Sequence, residues 1–189
     1  MTVFFSSDQH FGHANIIKYC DRPFEDVDHQ TEVLISNWNS VVTEDDVVWV
    51  LGDFSFHKMT RTAEILSELK GTKFLVAGNH DLCHEYNRDY HPRFEEKYLE
   101  AGFLRVFHEL RDFPLGEHLV TLSHFPYVDE DRHSAKYAKW LVEDQGQWLI
   151  HGHTHGKWKV LGKQIDVGVD IWDYTPVAQE ELELIISTN

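Results

Sequence analysis

The sequence predicts an α/β protein made of two β-sheets packed face to face with helices outside. Two observations carry this reading. Up to about residue 101, apolar runs of strand length alternate with stretches of helical periodicity. Beyond Gly102 the runs become short and β-like. At 189 residues, 42% of them apolar and six of them Trp, the chain reads as one globular domain, residues 1–189, large enough to bury a two-sheet core.

The first strand spans about Val3 to Ser6. A loop from Phe11 to Asp26 follows, with a helical turn near Asn15 to Tyr19. Asp28 is placed to cap a helix in which Val33, Leu34, Trp38, Val41 and Val42 recur at helical spacing. Val47 to Leu51 forms the second strand. Thr60 caps the next helix, with Ile65, Leu66 and Leu69 inward and Gly71 past its end. The third strand ends at Ala77, and Pro92 to Ala101 is a helix stopped by Gly102. Leu104 to Phe107, Leu119 to Ser123, Gln147 to Ile150, Lys157 to Leu161 and Gln164 to Val169 then read as strands. One helix, Arg132 to Val142, interrupts them, and Leu161-Gly162-Lys163-Gln164 reads as a hairpin turn. Gln179 to Ile186 fits helix and strand equally.

Composition narrows the function. Cys20 and Cys83 form neither a disulfide framework nor a C-x-x-C metal pair, which points to free thiols in a reducing compartment. The N-terminus lacks a basic region followed by a long apolar one, and no apolar run reaches the roughly 20 residues of a membrane span. A soluble cytoplasmic protein is expected, with no membrane partner. The formal charge is −15 and the 17 Lys and Arg residues are scattered, so extended nucleic acid is not an expected partner.

Five short polar motifs each end an apolar run: Asp8-Gln9-His10, Gly52-Asp53, Gly78-Asn79-His80-Asp81, Ser123-His124 and Gly152-His153-Thr154-His155. Carboxylate, imidazole and amide oxygen are ligands for divalent metals. In open α/β sheets ligands bind beyond the carboxyl ends of strands, so five strand ends can deliver these groups to one place. Asp8 and His10, two apart on an extended segment, are expected to share a face; His153 and His155 alternate in the same way, so a local bend is needed to aim them at different metals.

In order and content the motifs resemble the calcineurin-like metallophosphoesterase superfamily, whose pattern is D-x-H, G-D, G-N-H-D/E, H and G-H-x-H. All five blocks are present between Asp8 and His155. The resemblance implies a four-layer α-β-β-α sandwich of two mixed sheets flanked by helices. It implies two divalent metal ions, manganese foremost, with iron, zinc, nickel or cobalt also suited to this ligand set. Asp53 bridges them; Asp8, His10 and His155 complete one site, and Asn79, His124 and His153 the other. Two ions about 3.5–4 Å apart lower the pKa of a bridging water and hold the attacking and leaving oxygens of an in-line displacement. The implied activity is hydrolysis of a small phosphoester by a metal-bound hydroxide. Phosphodiesters, including cyclic nucleotides, are favoured because no dense Arg cluster marks a monoester pocket. A phosphomonoesterase or protein phosphatase is the alternative within the family, and an inactive metal-binding scaffold the alternative outside enzymes. His80 is expected over the phosphate as proton donor, with Asp81 orienting its imidazole.

A histidine taken alone is most often a core or surface residue. Of 14, only His10, His80, His124, His153 and His155 carry motif support. His29, His57, His84, His91, His108, His118 and His133 are assigned to structure or surface, and His151 equally to the core or to the surroundings of the metals. His13, in Phe11-Gly12-His13, is a candidate substrate contact, with Asn15 and Arg22 behind it. Asp170, Trp172 and Tyr174 either edge the cleft or pack the C-terminal segment. Competing motifs fail: His80-Asp81 follows a strand, not a helix, and Gly156-Lys157 stands where a metallo-β-lactamase needs Asp-His. No zincin helix, P-loop or G-x-S-x-G elbow is present.

Overall fold

Strand β1 (Val3–Ser6) buries both its faces, with Phe4 on one and Phe5 on the other. The computed structural model describes residues 1–127 and 134–189 of the chain. Strand β2 (Val47–Val50) alternates in the same way: Val48 and Val50 point with Phe4, and Trp49 with Phe5. Burial on two faces is why these strands read as unbroken apolar runs.

The first sheet has the order β10-β1-β2-β3-β4, with β3 at Thr72–Val76, β4 at Phe103–Phe107 and β10 at Val177–Ala178. Strands β1 to β4 are parallel, and β10 joins the edge antiparallel. Helices α2 (Val27–Val41), α3 (Met59–Glu68) and α4 (Arg93–Ala101) contribute Leu34, Trp38, Ile65, Leu66 and Tyr98 to the cluster that holds Phe4, Val48 and Val50. Each such side chain, fully buried, contributes about 1.5–3 kcal/mol.

The second sheet has the order β5-β6-β7-β9-β8 and is also mixed. Its strands are β5 (Glu109–Leu115), β6 (His118–Ser123), β7 (Trp148–His151), β8 (Val160–Leu161) and β9 (Gln164–Asp166). Val120, Leu122, Ile150 and Ile165 meet Phe5, Trp49 and Val76 between the sheets. Leu182 and Ile186 of α6 (Gln179–Thr188) close the same cluster. Leu149 faces the other way, under Tyr127 and Val142. The expected α/β sandwich of two mixed sheets is therefore observed.

Several local expectations are corrected. The α2 cap is Asp26, whose carboxylate accepts from the N–H groups of Asp28 and His29 at 3.0 and 2.9 Å; Asp28 lies in the first turn. Helix α3 starts at Met59 without a side-chain cap, so Thr60 does not cap it. Strand β5, not anticipated, is an edge strand with a register shift between Leu110 and Phe113. An edge position accommodates Pro114, which would disrupt a central strand. The expected strand over Lys157 to Leu161 shrinks to β8, although the hairpin from Leu161 to Gln164 forms. Gln179 to Ile186 is helical. Of the expected helix Arg132 to Val142, residues 132 and 133 lie outside the described residues, as does His133; Ser134–Tyr137 forms the short helix α5. Among the described residues no helix is long and apolar enough to cross a membrane.

Candidate metal centre

The carboxyl ends of β1, β2 and β3 in one sheet and of β6 and β7 in the other converge, and their loops are stitched together by backbone. Asp8 N–H donates to Gly52 C=O and His10 N–H to Asp53 C=O, each at 3.0 Å, while Gly152 N–H donates to His124 C=O at 3.2 Å. Bonds also cross between the sheets, among them His153 N–H donating to Asp8 Oδ2 at 2.9 Å. Gly52 has φ +92°, and a Cβ there would lie 2.5 Å from His124 Nδ1 and 2.7 Å from Gly78 Cα, so no other residue fits that turn.

Asp8, His10, Asp53, His153 and His155 all have φ between 49° and 73°. This corrects the expectation of extended segments with alternating side chains. The strands end first, and left-handed turns then aim the side chains. A non-glycine residue in this region costs of order 1–2 kcal/mol, and such strain concentrates at functional sites.

The side chains form two clusters sharing Asp53. In the first, His10 Nε2 lies 3.7 Å from Asp8 Oδ1 and 3.6 Å from Asp53 Oδ2, and His155 Nε2 lies 3.7 Å from Asp8 Oδ1. Asp8 Oδ1 and His10 Nε2 are buried and have no hydrogen-bond partner. In the second, Asn79 Oδ1 lies 3.1 Å from His124 Nε2 and 3.0 Å from His153 Nδ1. His124 Nε2 is 3.6 Å from Asp53 Oδ1 and 3.3 Å from His153 Nδ1. His124 Nδ1 faces Leu51 C=O at 2.8 Å; donation there leaves its Nε2 lone pair pointing at two oxygens. Carboxylate, imidazole and amide ligand atoms gathered in this way suit divalent cations, and Asp8, His10 and His155, like Asp8, Asp53 and His124, are close enough to hold one.

Protonation in the metal-free protein follows the same crowding. Burial pushes the Asp53 carboxyl up to about 6, partly opposed by His124 and reinforced by the Asp8 charge. Burial would also raise Asp8, but the charge of His155 and the close approach of the His10 ring hold it well below the usual carboxylate range. Burial lowers His10 and His153. His155 and His124 are raised despite burial, by Asp8 and by Asp53 respectively. Bound ions must displace protons from these rings, so metal affinity falls on acidification.

Three carboxylates hold the clusters from behind. Asp81 accepts from the N–H groups of Asp53, Gly78 and Phe54 at 2.9, 2.8 and 3.2 Å. It therefore secures the Asp53 turn and does not orient the His80 ring, as expected from sequence, because its oxygens are taken by backbone. Asp166 accepts from Thr154 Oγ1, between His153 and His155, and from Gly168 N–H at 2.6 Å. Asp170 Oδ2 faces His155 Nδ1 at 3.1 Å and is bound by Arg22. Arg22 is buried in this role and cannot reach substrate. No sequence motif marks Asp166 or Arg22.

Above the clusters lies a cleft of about 700 Å³, lined by His13, Phe56, His80, Lys136, Tyr137 and Lys157 together with cluster residues. A second cavity of about 520 Å³ adjoins it across Phe56, Asn79 and His80. His80 is 42% exposed, and its Nε2 is 3.9 Å from Asp53 Oδ2. Burial, then the charge of His124, lowers its pKa to about 4. The His13 ring stacks on Phe56 with centroids 4.1 Å apart. Asn15 is exposed on α1 (Ala14–Tyr19) and outside the cleft lining, because Ile16 takes the inward position. Trp172 packs, donating Nε1–H to Asp166 C=O at 2.8 Å, and Tyr174 lies against Phe24. His151 is a buried core residue whose Nδ1 faces Gly152 C=O at 2.7 Å. Phe56, Lys136, Tyr137 and Lys157 escaped sequence reasoning, since lining a cleft requires no motif.

No known family model matches the chain. The gene 66 protein of Mycobacterium phage L5 is 34% identical over 195 aligned positions, covering 97% of this chain and 93% of that protein. An uncharacterized protein of Methanocaldococcus jannaschii is 32% identical over 193 positions, covering 97% and 89%. Among solved structures, a protein of unknown function from Aquifex aeolicus superposes with a TM-score of 0.70 at 24% identity, covering 97% of this chain and 98% of that one, which supports the fold.

Proposed function

The chain belongs to the same family as the gene 66 protein of phage L5, and from that premise we propose that it is a metal-dependent phosphoesterase acting on small phosphodiesters. The observation that carries this reading is the pair of acceptor clusters that share Asp53 at the floor of an open cleft. Asp8, His10, Asp53 and His155 would hold one divalent ion, and Asp53, Asn79, His124 and His153 the other. Manganese is the first choice, with iron, zinc, nickel and cobalt compatible. When bound, such ions supply Lewis-acid polarisation of a phosphoryl oxygen and activation of a water molecule.

The chain's own residues do the rest. Asp81 and the Asp8 bond to His153 N–H keep the five loops in register. His80 stands exposed at the cleft, where a phosphoryl group held over the two clusters would come within its reach. A phosphate anion there counters the burial that lowers the His80 pKa, and readies the ring to protonate a leaving oxygen. The aromatic rings of Phe56 and Tyr137 suit a nucleoside-type leaving group, and the open cleft admits two ester substituents.

The test is a panel of diesters and monoesters assayed with each metal. Diester turnover dependent on added metal is expected, exceeding monoester turnover. The reverse ratio would move the protein to the phosphomonoesterases. Metal binding without turnover of any ester would make it a scaffold.

A further inference from the structure

His155 faces two ways. Its Nε2 points to Asp8 Oδ1 in the first cluster, and its Nδ1 lies 3.1 Å from Asp170 Oδ2 on the opposite side. Asp170 is clamped in turn: Nε and Nη2 of Arg22 donate to Oδ1 and Oδ2 at 2.7 and 2.9 Å. The rest of the guanidinium turns to the first motif. Nη2 donates to Asp8 C=O at 2.7 Å, and Nη1 to Gln9 C=O at 3.0 Å and to Gln30 Oε1 at 3.1 Å. The Gln30 amide then donates to His10 C=O at 3.2 Å. The carbonyls of Asp8, Gln9 and His10 are thus all held, directly or through Gln30, by one arginine.

All five guanidinium N–H groups have an acceptor in this set. The Arg22 side chain is fully buried and that of Asp170 is 6% exposed. Burying such a pair costs several kcal/mol per ion unless its hydrogen bonds are met, and pairs of this kind serve geometry more than stability. What this pair touches is the left-handed Asp8–His10 turn on one side and His155 on the other. Those two chain segments meet in the first cluster, beside the shared Asp53.

We propose that Arg22 and Asp170 are positioning residues of the first metal site. Asp170 accepts the Nδ1–H of His155 and so turns its Nε2 lone pair toward Asp8 and His10; Arg22 fixes Asp170 and the Asp8–His10 carbonyls together. A carboxylate behind a ligating histidine raises the basicity of the ring and sets its tautomer. This assignment rests on the metal-centre reading above. The second cluster has a different support, the Leu51 carbonyl behind His124, so the two sites respond separately. Cys20 approaches the same His155–Asp170 pair closely enough to complete a three-ligand group, but a cation there would sit against the Arg22 guanidinium.

The test is calorimetric titration of the metal-free protein with Zn²⁺ and Mn²⁺, for the wild type, Asp170→Asn and Arg22→Lys. The wild type is expected to take two equivalents. The variants are expected to lose about 10–100-fold in affinity at one site and to keep the other. A purely structural defect would weaken both sites together, and that result overturns the assignment, as do wild-type affinities in both variants. A wild type that takes up no metal overturns the metal-centre reading as well, and is recognised because the failure precedes any substitution. If the variants do not fold, ¹⁵N spectra of the zinc-loaded wild type decide. His155 bound through Nε2 with a hydrogen-bonded Nδ1 proton supports the proposal, and binding through Nδ1 ends it.

Discussion

The backbone N–H of His80 donates to Asp53 Oδ1 at 2.8 Å, while its ring nitrogen stands 3.9 Å from Oδ2 of the same carboxylate. The main chain of His80 pins the shared ligand candidate, and its ring is left to the cleft. The two contributions are separable by substitution.

His80→Ala should therefore keep both metals, since the pinning bond survives. Its rate on an alkyl or nucleoside ester should fall by about 10²–10⁴-fold, and by less on a nitrophenyl ester, whose leaving group needs no proton. Equal losses on both substrates would reassign the ring to electrostatic stabilisation. Loss of metal would make it a ligand.

Asp53→Ala should empty both sites, because one oxygen faces each cluster, whereas His10→Ala should weaken only the first. Elemental analysis of the purified variants measures this. Full occupancy in the Asp53 variant would remove the bridging assignment.

His13→Ala should change kcat/KM while leaving metal content and folding at wild-type values. A hydrogen bond to a charged phosphoryl group contributes about 1.5–3 kcal/mol, or tenfold and more in kcat/KM. The ring is half-buried against Phe56, and burial lowers its pKa to about 4, so near neutral pH it would act as a neutral donor. Unchanged kinetics across the ester panel would return His13 to a packing role beside His10.

Asp166 gives the metal-free protein a pH-dependent stability. Burial, then the Asp8 charge, raises its carboxyl from the ordinary carboxylate range to about 7. The folded state thus holds the proton that the unfolded chain releases. The stabilising contribution is complete below about pH 4 and is lost as pH rises through 7. The difference corresponds to at most about 4 kcal/mol. In denaturant titrations, Asp166→Asn should flatten the decline between pH 4 and 7 relative to the wild type. An unchanged slope would show that other groups carry it.

The sequence displayed the metal-ligating candidates, Asp8, Asp53, Asn79 and His124 among them, because that chemistry restricts side-chain type to a few. It offered Arg22 only as a substrate contact and hid its positioning role, because a guanidinium that grips main-chain carbonyls has no residue pattern to match, and its charged partner Asp170 is 148 residues away. The first sheet was legible through its doubly buried strands. Strand β5 was not, since Arg111, Asp112 and Pro114 are tolerated only on an edge that the sequence does not announce. The left-handed turns were equally hidden, because glycine signals positive φ far more strongly than Asp or His does.

Those turns have a consequence for how the chain can change. At Asp8, His10, Asp53, His153 and His155, glycine would occupy the observed backbone with less strain than the residue present. Relaxation of the backbone therefore runs opposite to retention of the chemistry. Strain at these five turns is what glycine would remove, together with the side-chain chemistry that the turns present.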